Sequence, residues 1–161
     1  MNPYTKIVLQ RLAVMSAFGL LCMGQPVFSQ GNCKKASGTW TDVWSGGNFT
    51  RGTVTNAGFL NGTTAIDEAS SAYPTPVPTT VSYTANVVLT THQGQLRYTN
   101  LYLYDFATGV WTAMGRIDPN TSTGRFAGAT GVLYFNGKTV GTAIPFSYPS
   151  EITGEVCLAK E

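Results

Sequence analysis

Several aromatic side chains share one alternating set of positions in residues 95–106, and together they could form a binding surface. One parity of this segment contains Tyr98, Asn100, Tyr102 and Tyr104. Successive side chains of a β-strand point to opposite faces, so one parity of a half-buried strand faces the interior. Inward-facing tyrosines would line a pocket suited to an amphipathic small molecule; the alternative is that they pack the core or decorate the exterior. Tyr98, Tyr102 and Tyr104 are therefore candidate binding residues.

Three further candidates lie next to these tyrosines in the sequence. Asp105 ends the same segment, and Met114 and Arg116 belong to the predicted strand that follows. An arginine inside a small barrel needs a carboxylate partner or an anionic ligand, because an unpaired buried charge is costly. Asp105 and Glu155 are both candidate partners for Arg116, and their spacing does not choose between them.

The sequence offers little for covalent or metal-dependent chemistry. His92 is the only histidine and lies beside a predicted hairpin turn at Gly94. No Gly-x-Ser-x-Gly motif accompanies it, and a single histidine excludes a multi-histidine metal site. We therefore expect no catalytic residue, no metal and no cofactor.

Residues 1–29 have the features of a cleaved signal peptide. Lys6 and Arg11 precede a short apolar run, and small residues near Ser29 suit cleavage before Gln30. The run is too short to cross a bilayer as a stable helix. The sequence therefore predicts a secreted or periplasmic protein in which residues 30–161 form a single domain.

Lipid attachment at Cys22 is the alternative reading of this segment. It is disfavoured because Leu21 stands where a small residue is expected. The segment carries two cations and no acid, so its removal reduces the formal charge of the chain from +2 to zero. A neutral domain lacks the electrostatic footprint expected of a nucleic-acid or membrane-surface partner.

Cys33 and Cys157 are the two cysteines that remain after cleavage. In an exported protein such a pair predicts a structural disulfide. The bond would make the first and last segments of the domain neighbours. Closure of a barrel, or pairing of two terminal strands, would produce that arrangement.

Short apolar–polar alternations fill the rest of the chain, and Gly or Asn interrupts them about every ten positions. This pattern is typical of many short antiparallel strands. Residues 73–79 contain three prolines and predict an extended connection instead of a central strand. We expect an all-β protein, a single antiparallel up-and-down barrel of about eight strands, with an open sandwich as the alternative. The predicted strands are 38–44, 48–55, 59–66, 81–91, 95–106, 110–117, 124–137, 138–144 and 152–158.

Glycines mark the predicted strand at residues 124–137. Gly128 and Gly131 fall inside it, Gly124 opens it, and Asn136-Gly137 predicts a turn at its end. A glycine inside a strand usually marks a bulge, a bend or a close backbone approach. We expect Gly124, Gly128 and Gly131 to have structural roles in closing a barrel wall.

The motif Phe126-x-Gly128-x-x-Gly131, entered by Gly124-Arg125, resembles the glycine-rich strand of the allene oxide cyclase and dirigent β-barrels. The resemblance implies an exported bacterial relative with an eight-stranded antiparallel barrel and a central apolar cavity. Cyclases of that superfamily close a strained epoxide into a cyclopentenone, and dirigent proteins steer the radical coupling of phenols. No catalytic motif of either group matches this chain.

Three functions are compatible with these observations. The first is non-covalent binding of a small hydrophobic or phenolic molecule. The second is a cyclase-like isomerase or coupling guide, with Arg116 and Asp105 as polar assistants. The third is a surface module for adhesion or carbohydrate contact. Inward tyrosines would favour the first two functions, and an exposed strand edge would allow a homo-oligomer.

Overall fold

The computed structural model describes residues 32–160, which form an all-β domain. Two short 3₁₀ turns, Gly58–Leu60 and Gly124–Phe126, lie in connections between strands. Within this part of the chain, no helix has the length and apolar character needed to cross a membrane. The strands are β1 Asn32–Trp44, β2 Thr50–Thr55, β3 Gly62–Ala69, β4 Tyr73–Pro74, β5 Thr80–Thr91, β6 Gly94–Asp105, β7 Val110–Ile117, β8 Thr130–Lys138 and β9 Phe146–Leu158.

The strands form a closed up-and-down barrel. β1, β2, β3, β5, β6, β7, β8 and β9 each pair antiparallel with the next, and β9 pairs back onto β1. The two-residue strand β4 adds to the edge of β5 outside this ring. The predicted eight-stranded barrel is confirmed, and the open sandwich is wrong because no edge remains between the first and last strands of the ring.

The predicted disulfide is also confirmed. Cys33 and Cys157 are directly opposite each other in the β1–β9 pair and are bonded, with an S–S distance of 2.07 Å. The bond lies beside the seam that closes the barrel, where Asn32 to Trp44 pair continuously with Leu158 to Phe146. Hydrogen bonding along this seam and the covalent bond therefore hold the chain ends together.

Buried and exposed side chains alternate along the strands, and the buried ones form the core. In β7, for example, every second side chain from Trp111 to Ile117 is buried and the others are exposed. The inner faces of the eight strands converge on one cluster inside the barrel. Its largest fully buried side chains are Trp40, Phe126, Phe135, Leu60, Leu89, Leu96 and Leu133.

The two ends of the barrel differ. At one end, the 3₁₀ turns place Leu60 and Phe126 in fully buried positions, and the ring centroids of Phe59 and Phe126 lie 6.4 Å apart. We call this the closed end. The opposite end carries the connections 45–49, 70–79, 106–109 and 139–145, and we call it the open end. The proline-rich residues 73–79 form a connection at the rim of the open end, as predicted.

Several predicted boundaries are wrong. The 124–137 stretch is not one strand, because Gly124–Phe126 forms a 3₁₀ turn and β8 begins only at Thr130. The predicted Asn136-Gly137 turn lies inside β8, where it pairs with Glu151 and Ser150. Residues 139–145 form a loop instead of a strand. β1 and β9 are both longer than predicted, because they pair with each other over their whole length; in β1 the pairing extends over the mostly polar residues 32–37.

Of the three glycines expected in the barrel wall, only Gly131 lies in a strand, whereas Gly124 belongs to a 3₁₀ turn and Gly128 to the connection before β8. Gly124, Gly128 and Gly131 all adopt positive φ angles, of 60°, 70° and 134°. A side chain at Gly131 would also collide with the carbonyl oxygen of Glu155 on the neighbouring strand. Gly131 therefore permits both an unusual backbone conformation and close approach of β8 to β9.

Candidate functional site

A cavity of about 230 Å³ opens at the open end of the barrel. Pockets for drug-sized ligands are typically ~300–1,000 Å³, so this one suits a molecule about the size of a substituted aromatic ring. The inner faces of seven strands and the 45–49 connection form its wall. Its aromatic and polar lining consists of Trp40, Asp42, Trp44, Asn48, Phe49, Thr50, Tyr83, Tyr102, Tyr104, Trp111 and Tyr148.

Stacked tyrosines form one side of the cavity. Tyr83 and Tyr102 are opposite each other in the β5–β6 pair, and their rings lie 4.7 Å apart and almost parallel. Below them, the side-chain amide of Asn100 donates a hydrogen bond to the Tyr102 hydroxyl at 2.8 Å. Burial raises the pKa of both phenols above their ordinary value, so they are neutral near pH 7. The stack therefore presents flat, uncharged rings to the cavity.

All three tryptophans of the chain line the same cavity. Trp40 and Trp111 lie deep, with their rings edge to face at 6.0 Å. Trp44 lies at the rim, where it stacks on Phe146 at 5.7 Å and its indole N–H donates to the carbonyl of Gly47 at 2.7 Å. Intrinsic tryptophan fluorescence therefore reports on the cavity without added probes.

Asp42 is a buried carboxyl group in the cavity wall, only 3% exposed. Its Oδ1 accepts hydrogen bonds from Trp40 Nε1 at 2.9 Å and from Thr64 Oγ1 at 2.6 Å. Its Oδ2 accepts a short hydrogen bond from Thr50 Oγ1. Gly52 lies opposite Asp42 in the register, and a side chain there would collide with the carboxyl group. The glycine therefore makes room for the carboxyl against β2.

The surroundings of Asp42 oppose its ionisation. Desolvation by burial raises the pKa of Asp42, and hydrogen bonds from Thr50, Thr64 and Trp40 and the charge of Arg51 counteract part of that rise. Arg51 belongs to the outer face, where its guanidinium pairs with Asp67 at 2.5 Å. Arg51 thus lies outside the barrel wall, and its hydrogen bonds go to groups other than Asp42.

The tyrosine face of β6 points into the barrel, which is the direction that would allow the tyrosines to line a pocket. Tyr98 and Tyr102 are buried, and Tyr104 is half-buried at the rim. Tyr102 and Tyr104 line the cavity, whereas Tyr98 lies deeper and stacks on Phe135 at 5.9 Å. Tyr98 therefore packs the core beneath the cavity instead of forming part of its wall.

The other three candidates lie outside the barrel, and their predicted place in the interior is wrong. Met114 and Arg116 occupy the exposed parity of β7, opposite to the parity of Trp111. Asp105 caps the exposed β6–β7 turn, where hydrogen bonds from Thr108 and the turn backbone lower its pKa. None of the three contributes to the cavity, so no Arg116–Asp105 pair lies within it.

One group of three possible metal ligands occurs among residues 32–160: Cys33, Glu155 and Cys157. The two sulfurs are bonded to each other, and thiolate is the form of cysteine that binds metals. This cluster is therefore a disulfide beside a carboxylate, at the closed end of the barrel and far along the strands from the cavity.

Asp42 is not among the candidate residues predicted from the sequence. Its signal was present in β1, where Trp40, Asp42 and Trp44 share one parity. An acidic residue on the aromatic, inward parity of a strand is a departure from the usual pattern of polar residues outside.

Comparisons of the chain with protein-family models, with curated proteins and with solved structures gave no match. The structure itself shows a closed eight-stranded antiparallel barrel, with an aromatic cavity and one carboxyl group in the cavity wall.

Proposed function

We propose that the protein binds a small hydrophobic or phenolic molecule in the cavity at the open end, without covalent catalysis. The supporting observation is the lining: tryptophan and tyrosine rings form a concave, largely apolar wall with a few hydrogen-bonding groups. Such surfaces bury aromatic ligands and orient them through a small number of polar contacts. The cavity volume of about 230 Å³ fits a single-ring compound.

Two alternatives have less support. A cyclase-like isomerase or a coupling guide would need polar assistance in the cavity, and the assistants suggested by the sequence, Arg116 and Asp105, lie outside it. An adhesion or carbohydrate-contact module that used the tyrosines of β6 would expose them, but Tyr98 and Tyr102 are buried. The resemblance to allene oxide cyclase and dirigent barrels remains a hypothesis and carries no weight in this choice.

We further propose that the protein acts outside the cytoplasm, as a secreted or periplasmic binding protein. The Cys33–Cys157 disulfide supports this location, because such bonds persist mainly in oxidising compartments. The predicted signal peptide at residues 1–29 lies outside the described residues.

Titration with 4-ethylphenol, followed by tryptophan fluorescence and by native mass spectrometry, tests the binding proposal. Ala69 lines the cavity near its rim, so Ala69→Phe should occupy part of the space and weaken binding at least tenfold. Met114→Phe places the same side chain on the exposed outer face and should leave the affinity unchanged.

Saturable one-to-one binding that Ala69→Phe weakens and Met114→Phe does not would support the proposal. The proposal fails if wild-type protein does not bind the phenol, or if both variants bind it as tightly as the wild type. In the latter case the phenol would occupy a site other than the cavity.

A further inference from the structure

The cavity contains one ionisable acid and no basic side chain among the described residues that line it. Asp42 is the acid, and the other ionisable lining groups are phenols. Burial raises the pKa of Tyr83, Tyr102 and Tyr148, so these phenols are neutral at physiological pH. Ionised Asp42 therefore gives the cavity a net negative charge.

The protein does not neutralise this charge from inside the barrel. The guanidinium of Arg51, whose charge acts on Asp42, donates to the carbonyl oxygens of Thr50 and Ile66 and pairs with Asp67 on the outer face. Asp42 itself is held only by neutral donors. A buried carboxylate without a cationic partner is costly, and a cation that enters the cavity would offset that cost.

The carboxylate has unused hydrogen-bonding capacity on one oxygen. A carboxylate can accept about four hydrogen bonds, two at each oxygen. Oδ1 already accepts two, from Trp40 and Thr64, whereas Oδ2 accepts one, from Thr50. Thr50 and Asp42 both line the cavity. Oδ2 therefore keeps one free acceptor position, on a carboxyl group that lines the cavity.

Aromatic rings surround the same region. Trp40 donates to Asp42 through its indole N–H and lies 6.0 Å from Trp111, and the Tyr83–Tyr102 stack forms another side of the cavity. The faces of such rings carry partial negative charge and attract a cation within about 6 Å of the ring centroid. A carboxylate among tryptophan and tyrosine rings combines ion pairing with cation–π attraction.

From this arrangement we propose that the cavity is selective for an aromatic amine, a single-ring molecule with a protonated amino group on a short chain, whose ammonium group pairs with Asp42. The inference rests on the proposed function, since it names the ligand class of the same cavity. The ring occupies the aromatic part of the wall, and the ammonium group donates to Oδ2.

Three ligands of almost equal size test the charge preference. Tyramine carries an ammonium group, tyrosol carries a hydroxyl in its place, and 4-hydroxyphenylacetate carries a carboxylate. We expect tyramine to bind at least tenfold more tightly than tyrosol at pH 7, and 4-hydroxyphenylacetate to bind most weakly. Asp42→Asn should bring the tyramine and tyrosol affinities within about threefold while tyrosol still binds.

Asp105→Asn is the matched control variant. It also removes one carboxylate near the open end, but from an exposed turn outside the cavity. The ratio of tyramine to tyrosol affinity should stay at the wild-type value. Equal loss of selectivity in both variants would mean that general surface charge attracts the amine, and would overturn the role of Asp42.

A pH titration of the wild-type protein gives a second readout that does not depend on the folding of a variant. The ratio of tyramine to tyrosol affinity should fall towards one as the pH drops through the pKa of Asp42. The other ionisable groups around Asp42 are Arg51, on the outer face of β2, and the neutral phenols of Tyr83, Tyr98, Tyr102 and Tyr148. A ratio that does not change with pH would overturn the inference.

The outcomes separate the two proposals. If tyramine and tyrosol bind equally well in the wild type, the inferred amine preference is wrong while the binding function stands. If 4-ethylphenol binds but none of the three compounds does, the inference fails while the binding function stands. If 4-ethylphenol does not bind either, both proposals fail.

Discussion

Replacement of Asp42 by asparagine should change how the free energy of unfolding depends on pH. Asparagine keeps the shape of the side chain and one oxygen for the hydrogen bonds from Trp40 and Thr64. Its amide nitrogen would face Thr50, whose hydroxyl can rotate to accept a hydrogen bond. The main difference between the two proteins is therefore the charge of a buried carboxyl group.

The direction of the effect follows from the raised pKa of Asp42. In the unfolded chain an aspartate titrates near ~3.9. Between that pH and the higher folded pKa, the unfolded state loses its proton while the folded state keeps it. Wild-type protein should therefore lose stability relative to Asp42→Asn as pH rises through this window, by up to about 1.4 kcal/mol per pH unit. Above the folded pKa the difference should become constant.

Urea unfolding followed by tryptophan fluorescence, at intervals from about pH 3 to pH 8, measures this difference. Subtraction of the two curves cancels the exposed carboxyl groups, including Asp105 and Asp118, whose pKa values are lowered by their turns. A difference that is constant over the whole range would refute the account of Asp42 as a desolvated acid. A wild type that gains on the variant as pH rises would show that the hydrogen bonds to the carboxylate outweigh desolvation.

Two further predictions concern the barrel itself. Replacement of Cys33 and Cys157 by serine opens a loop with a sequence separation of 124 residues, and should lower the free energy of unfolding by up to about 4–5 kcal/mol. Circular dichroism should still show a β-sheet, because the β1–β9 pairing remains; loss of that signal would contradict the prediction. Gly115→Ala should cost about 1–3 kcal/mol in urea unfolding, because its Cβ would collide with Asn100 Oδ1. Arg116→Ala, on the exposed parity of the same strand, should change stability by less than about 0.5 kcal/mol, and equal costs for the two variants would refute the packing argument.

Local patterns were sufficient for much of the fold. The alternation in residues 81–91 and 95–106 predicted β5 and β6 to within a residue or two, because each strand has one apolar face. Patterns failed where pairing extends a strand over polar sequence. β1 begins at Asn32, well before its aromatic portion, because it pairs with the whole of β9.

The glycine-rich stretch shows a second limit of local patterns. Its composition indicated close approach and unusual backbone angles, and both occur at Gly131. It could not indicate that Phe126 precedes the strand and fills the closed end of the barrel. That position depends on contacts with distant segments, such as the ring of Phe59.

The sequence by itself determined that this chain forms short antiparallel strands, that Cys33 and Cys157 could join its ends, and that one strand carries a row of tyrosines. These are local properties of alternation, composition and spacing. The tertiary structure decided which parity faces inward, and so moved Met114 and Arg116 to the exterior and Tyr102 to the cavity.

The tertiary structure also decided the environment of Asp42. A single acidic residue in β1 gains its properties from Thr50 on β2, Thr64 on β3 and the absence of a side chain at Gly52. These neighbours lie up to 22 residues away in sequence, and only closure of the barrel surrounds them with tyrosine and tryptophan rings. Burial and electrostatic environment are sums over such distant contacts, so no local pattern contains them.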